Sequence, residues 1–307
     1  MMSQNNLSVT DHILGSYKSL KNKIMWFNYY RKAYRKYFEV IRKDLRNQYP
    51  FEATLLSKER ILLNSRDKTA LFALLAVNKD IQYDITNDMA LIKYSSTKSQ
   101  EKQIKLYGIT QNLDAILVFG KDGTYDNLPM NRKTVVDIGA CTADTSIFFT
   151  LHGANQVIAV EPYPKNFEMA KKNVKENNLE NKIEVILGAC GSTQSSITVD
   201  PNYSSSMRSS LVKSKDGISI PVVTLEQILE KCDSDNPVLK MDCEGCEYEV
   251  ILSASQNILR KFSHIQIEYH SGYRNLKKKL ENSGFSVSKI LSDNALRGHI
   301  SAIRHDI

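Results

Sequence analysis

The period of the apolar positions changes twice along this chain of 307 residues. Residues 16–48 contain no interior Gly or Pro, and Ile24, Phe27, Tyr30, Tyr34, Tyr37, Phe38 and Ile41 recur there at three- and four-residue steps. That spacing lines one face of a helix, and Pro50 ends it. Residues 53–131 are less regular: a short helix is predicted at 68–76, with strand-like runs at 89–94, 105–110 and 115–119 and turn signals at 120–123. This reads as a small α+β cap.

From Lys133 onward, apolar runs alternate steadily with helical stretches, the signature of βαβ units around a mostly parallel sheet. Strands are predicted at 134–138, 156–161, 183–187, 238–242 and 264–269, and helices at 142–151, 164–177, 225–231, 248–254 and 275–283. A closing hairpin pair at 286–291 and 300–304 brings the count to seven strands, the last antiparallel, with helices on both faces. Three segments follow: 1–52, a basic aromatic helical segment; 53–131, the cap; and 132–307, the α/β domain.

Composition adds a charge asymmetry. The net charge is +7, and residues 11–50 alone hold ten Lys or Arg against three acids, while the chain from Phe51 balances at 31 against 31. The basicity is local, so the α/β domain is neutral. No run approaches the roughly 18 apolar residues of a membrane span, and the first residues lack the order of a signal peptide. The expected location is the cytoplasm, where the five cysteines stay reduced and no disulfide forms.

In a doubly wound sheet, ligands sit beyond the carboxyl ends of the strands. After the first strand come Asp137, Ile138, Gly139, Ala140 and Cys141. Glycine lets the backbone pass close to a ligand, and the next helix points its amide-rich end into the same space. The second strand ends in Glu161-Pro162, an acid about twenty residues past the glycine turn that can accept hydrogen bonds from both ribose hydroxyls of an adenosine. Dinucleotides need several glycines to seat a pyrophosphate, whereas Gly139 is followed by Ala140, Cys141, Thr142, Ala143 and Asp144. The pattern favours an adenosine cofactor without phosphates, S-adenosylmethionine, over a nicotinamide. Gly188, Ala189 and Cys190 after the third strand form a small-residue turn suited to a flat adenine. On the fourth strand Lys240, Asp242 and Glu244 alternate, sharing one face at the sheet edge.

These segments, VVDIGACTADTSIFF, VIAVEPYPKNFEMAKKNVKENN, IPVVTLEQILEK, VLKMDCEGCEYEVILSA and HIQIEYH in that order, resemble the FkbM family of S-adenosylmethionine-dependent methyltransferases. The resemblance covers about half the chain. It implies a class I, Rossmann-like methyltransferase fold and O-methylation of hydroxyls on sugars or on sugar-like and polyketide products. The family commonly reads G-A-N-x-G at the first turn; here Cys141 replaces the Asn and Ala143 the second Gly.

Transfer of a methyl group to an alcohol needs alignment and a base. Asp242 at the fourth strand end, which also borders the cofactor, and Glu268 with His270 at the fifth are the candidates, His270 as base with Glu268 orienting it or the substrate, and Lys240 beside them. A divalent metal polarising the acceptor is the less favoured alternative, and the Cys243-x-x-Cys246 spacing is not assigned to metal, since no second pair accompanies it. The stretch 202–208, with its serines and Arg208, is a candidate acceptor loop. The basic helix has three readings: packing on the body or on a second copy in a homo-oligomer, lying on an anionic membrane surface, or, least supported, contacting nucleic acid. A small molecule or glycan is the expected acceptor; RNA or protein N-methylation and a non-catalytic cofactor-binding module are the alternatives.

Overall fold

The computed structural model describes residues 9–97, 100–120, 123–203, 217–292 and 296–306. It divides into two compact units, one over Tyr17–Asp122 and one from Gly123 onward.

In the first unit, the stretch read as one helix is two, Val9–Ala33 and Tyr37–Leu45. The break falls where Tyr34 is drawn into the core, its hydroxyl donating to the Thr69 carbonyl at 2.7 Å, while Arg35 N–H bonds the Thr54 carbonyl. Part of the predicted aromatic stripe is thereby spent internally: Tyr30, Ala33, Tyr34 and Val40 pack with Phe51, Ile61, Leu63 and Phe72. A hairpin of Phe51–Thr54 with Arg60–Leu63 and a helix, Arg66–Leu75, capped by Ser65, complete that core. An antiparallel sheet follows, formed by Ile81–Asp84, Met89–Thr97 and Gln100–Tyr107. The run at 115–119, read as a strand, is the helix Asp114–Val118. Five apolar residues fit either period, and here burial of Ala115 and Ile116 on one side decides for the helix.

The second unit is built on seven strands: β1 Thr134–Ile138, β2 Gln156–Glu161, β3 Ile183–Leu187, β4 Val238–Met241, β5 His264–Tyr269, β6 Phe285–Ser292 and β7 Gly298–Arg304. Their order across the sheet is β3-β2-β1-β4-β5-β7-β6, and β7 alone runs antiparallel to its neighbours. This is the class I methyltransferase sheet. Near-continuous apolar runs such as Val135-Val136 and Val157-Ile158-Ala159-Val160 are buried throughout, as strands covered on both faces must be. Helices α1 Asp144–Leu151, α2 Pro164–Glu176, α3 Cys246–Ser253 and α4 Arg274–Asn282 follow β1, β2, β4 and β5. A second small sheet, not foreseen from the pattern, joins Ser195–Val199, Ile218–Val223 and the two-residue strand Ala189–Cys190.

From β1 the chain winds outward to β3 and then returns to β4 on the other side of β1. The crevice where the winding reverses, above the adjoining ends of β1 and β4, is where ligands bind in such sheets.

Candidate active site

The turn after β1 is held from below. Asp137 lies opposite Lys240 in the β1–β4 register, with Lys240 Nζ 2.8 Å from Asp137 Oδ1 and the two side chains 3% and 0% exposed. Asp137 Oδ2 accepts from Thr145 Oγ1 at 2.6 Å and Ser146 Oγ at 2.7 Å, and Lys240 also donates to the Gly139 carbonyl at 2.9 Å. Burial works against the ammonium, but Asp137 and then Asp242 beside it hold Lys240 well above the ordinary lysine range. Two residues read separately, Asp137 for the cofactor and Lys240 for catalysis, are thus spent on each other and on the turn.

The turn itself is a row of left-handed residues, Gly139 at φ +78°, Cys141 at +47° and Ala143 at +63°. The last two are the positions where this chain departs from the family pattern of Asn and Gly, the residues that adopt this conformation most readily. The backbone shape is retained with less accommodating side chains. A Cβ on Gly139 would lie 1.7 Å from the Asp242 carbonyl oxygen, and Asp242 N–H donates to the Ile138 carbonyl, so the ends of β1 and β4 touch through backbone. Ala140 is fully buried, its N–H donating to Val160.

Glu161, at the end of β2, gathers this turn. Its Oε2 accepts from Cys141 N–H at 2.9 Å and its Oε1 from Tyr163 N–H at 3.0 Å and Asn166 Nδ2 at 3.2 Å. Burial pushes its carboxyl up to about 7. Asn166 Oδ1 beside it is buried with no hydrogen-bond partner. From the same helix Asn173 Nδ2 ties down the Thr142 carbonyl at 2.9 Å. Pro162 leads from Glu161 into α2, and Gly188 N–H bonds the Glu161 carbonyl. Ala189 and Cys190, read as an open turn, instead pair with Val222 and Val223 as a strand; Cys190 is buried, its thiol pushed up to about 12.

Asp242, Glu268 and His270 do come together, their ligand atoms all within 4.8 Å of one another. His270 Nε2 faces Asp242 Oδ1 at 3.8 Å, Glu268 Oε1 at 3.7 Å and Glu244 Oε2 at 3.4 Å, while Nδ1 meets Glu247 Oε1 at 2.9 Å. Burial opposes the imidazolium, but Glu247, Glu244 and Asp242 hold His270 up at about 9. Burial and the Glu268 charge raise Asp242, whereas His299 and His270 overcome burial and hold Glu268 down. Sequence reasoning missed Glu247 and His299, whose Nε2 lies 3.2 Å from Glu268 Oε2.

The expectation of reduced cysteines is corrected here: Cys243 and Cys246 are disulfide-bonded. Glu244 and Gly245 between them both have positive φ, and the tight turn brings the two Cα atoms to 5.5 Å, within bridging range. Of the candidate acceptor loop, Asn202 and Tyr203 are described, the Tyr203 ring 4.9 Å from that of Tyr163; residues 204–208 lie outside the described residues.

A family model, the methyltransferase FkbM domain, matches residues 137–287. No curated protein matches the chain. Solved structures to which the chain is similar include M. capricolum TrmK in complex with S-adenosyl-homocysteine, 16% identical over 60% of this chain and 67% of that one with a TM-score of 0.38. Others are the METTL16 MTase domain, 15% identical over 85% and 91% with a TM-score of 0.44, and a precorrin-6y C5,15-methyltransferase from Geobacter metallireducens, 14% identical over 69% and 95% with a TM-score of 0.37. Among the described residues no helix is long and apolar enough to cross a membrane.

Proposed function

We propose that this chain, whose residues 137–287 match the methyltransferase FkbM domain, is an S-adenosylmethionine-dependent methyltransferase that methylates a hydroxyl of a sugar, glycan or related metabolite. The observation that carries the hydroxyl reading is the carboxylate pair Asp242 and Glu268 at the ends of β4 and β5, raised on the Asp242 side. An alcohol is a poor nucleophile until its proton is taken, and a base whose affinity for a proton is lifted toward neutrality suits that task. His270, its Nδ1 committed to Glu247 Oε1 at 2.9 Å, orients the pair rather than serving as the base. Asp242, Glu244, Glu247 and Glu268 together also make a poor landing site for a polyanion such as RNA, whose phosphates seek Lys and Arg.

The residues fit the cofactor. Glu161 and the unpartnered Asn166 Oδ1 offer acceptors for two adjacent ribose hydroxyls, while the backbone of Gly139, Ala140 and Cys141 borders the methionine portion and the Gly188 turn the adenine. When bound, S-adenosylmethionine supplies a methyl group on a sulfonium. Asp242 then receives the acceptor's proton.

Three measurements bear on this reading. Calorimetric titration with S-adenosylmethionine should show one site per chain, and no binding by the folded protein would overturn the cofactor assignment. Glu161→Ala should weaken that binding by roughly 30-fold or more, the worth of two charge-assisted hydrogen bonds. The ionised carboxylate is the better acceptor, and with its carboxyl at about 7 the wild-type affinity should fall as pH drops through 7, approaching tenfold per unit below about pH 6; a flat profile from pH 5.5 to 8.5 would remove Glu161 from the ribose. For catalysis, a mass-spectrometric screen for a 14 Da gain on hydroxylated acceptors identifies the turnover assay. Asp242→Asn should then lower kcat by about 10²- to 10⁴-fold while leaving S-adenosylmethionine affinity within about threefold, and unchanged turnover would exclude Asp242 as the base.

A further inference from the structure

We propose that Asp242, Glu268 and His270 bind a divalent metal ion of the Mg²⁺ or Mn²⁺ class, and that the ion holds an acceptor bearing two adjacent oxygens, such as a vicinal diol. The proposal rests on the reading that this cluster is the acceptor side of the methyl-transfer site.

The orientation of His270 is the starting point. Its Nδ1 is committed to Oε1 of Glu247 at 2.9 Å, and Glu247 is itself fully buried, with Oε2 accepting from Gly245 N–H at 2.8 Å. A buried carboxylate on one ring nitrogen keeps a proton there and leaves the other nitrogen to bind a metal ion, which displaces any second proton to solvent, the arrangement common to metal-binding histidines. Here Nε2 is buried with no hydrogen-bond partner, on a side chain only 6% exposed, and it points at oxygens of Asp242, Glu268 and Glu244. A lone pair ringed by carboxylate oxygens is repulsive unless a cation stands among them.

The spacing suits a metal ion. His270 Nε2 is 3.8 Å from Asp242 Oδ1 and 3.7 Å from Glu268 Oε1, too far for a hydrogen bond. Metal–oxygen bonds of about 2.0 to 2.4 Å place neighbouring ligands about 2.8 to 3.4 Å apart, so the observed separations are a few tenths of an ångström wider, and the side chains close in by that much around an ion. Each ligand is also braced. His299 Nε2 holds Oε2 of Glu268, leaving Oε1 turned toward His270, and Asp242 is fixed through its backbone bond to Ile138. The donor set, one imidazole with carboxylates, selects hard or borderline divalent ions over thiolate-loving ones; the adjacent Cys243 is locked in its disulfide. Three protein ligands leave about three positions of a six-coordinate ion, enough for two acceptor oxygens. An ion there makes the bound hydroxyl more acidic, and the Asp242 oxygen outside the coordination sphere remains free to take its proton.

The test uses the full chain, stripped with a chelator and titrated with Mn²⁺ by calorimetry and by electron paramagnetic resonance. One Mn²⁺ per chain is expected, with affinity reduced at least tenfold in Asp242→Asn and in His270→Gln, each of which should still melt cooperatively and bind S-adenosylmethionine. Absence of Mn²⁺ binding by the wild-type protein, with and without S-adenosylmethionine, would show that a proton alone occupies Nε2 and overturn the proposal. Equal binding by wild type and both variants would place the ion elsewhere and overturn it too. If the stripped protein still methylates a hydroxyl at its full rate, the metal proposal fails while the methyl-transfer reading stands. Mn²⁺ bound at these residues in a protein that methylates only nitrogen would support the site and overturn the hydroxyl acceptor.

Discussion

Replacing Lys240 by Met is expected to cost about 3–5 kcal/mol of stability, the penalty for leaving a buried charge without its partner. The charge left behind is Asp137, completely buried, with Thr145 and Ser146 donating to its other oxygen. Against a typical total of about 5–15 kcal/mol, such a loss brings the protein close to its unfolding threshold. The Gly139 carbonyl also loses its donor, so S-adenosylmethionine binding should weaken with stability. Denaturant titration of Lys240→Met, Asp137→Asn and the double variant separates the effects. The double variant should recover part of the loss, because neutralising both partners removes the stranded charge. A single-variant cost under about 1 kcal/mol would contradict a pair as dry as this one.

Gly139→Ala is the second large effect. The residue sits at φ +78°, where a side chain costs about 1–2 kcal/mol, and its Cβ would fall 1.7 Å from the Asp242 carbonyl oxygen and 2.7 Å from the carbonyl carbon. Backbone has no rotamer by which to yield, so the end of β4 must move and take Asp242 with it. The expected outcome is a destabilisation above about 3 kcal/mol together with loss of detectable methyl transfer. Gly245→Ala provides the comparison: φ is +126° but no atom lies within 4 Å of the added carbon, so only backbone strain is incurred. Similar melting temperatures for the two variants would refute the overlap argument.

The sheet was legible because parallel strands advertise themselves. β1, β2, β3 and β5 fall at the residues predicted from apolar runs closed by turn residues, and the flanking helices differ by one or two residues at their ends, where side-chain period says little. Elements governed by distant contacts were not legible. The helix over 16–48 breaks because Tyr34 finds Thr69, 35 residues away, and Ala189–Cys190 is a strand only because Ile218–Val223 lies beside it. The site shows the same division. Asp242, Glu268 and His270 could be placed by their positions at strand ends, but Asp137 and Lys240 could not be paired without the β1–β4 register. Glu247 lies in the first turn of α3, where an acid is favoured by the dipole whatever it contacts, so nothing in the pattern marks it out. His299 stands opposite Glu268 across β5 and β7, a relation that depends on the register of the closing hairpin. The disulfide was missed because composition speaks of the compartment, whereas the bond follows from the local turn.

The position of β7 has a consequence for how the chain matures during synthesis. It is the last of the seven strands to be made, yet it is inserted between β5 and β6. Until it emerges, β6 has no neighbour in the sheet, and β5 presents an unpaired edge of the kind that recruits other chains. The pairing is also long-range, with His264 meeting Ile303, so loop closure must precede any reward from contact. Because β7 delivers His299 to Glu268, the turn after β1 can close in the nascent protein before the Asp242, Glu268 and His270 cluster gains its last neighbour.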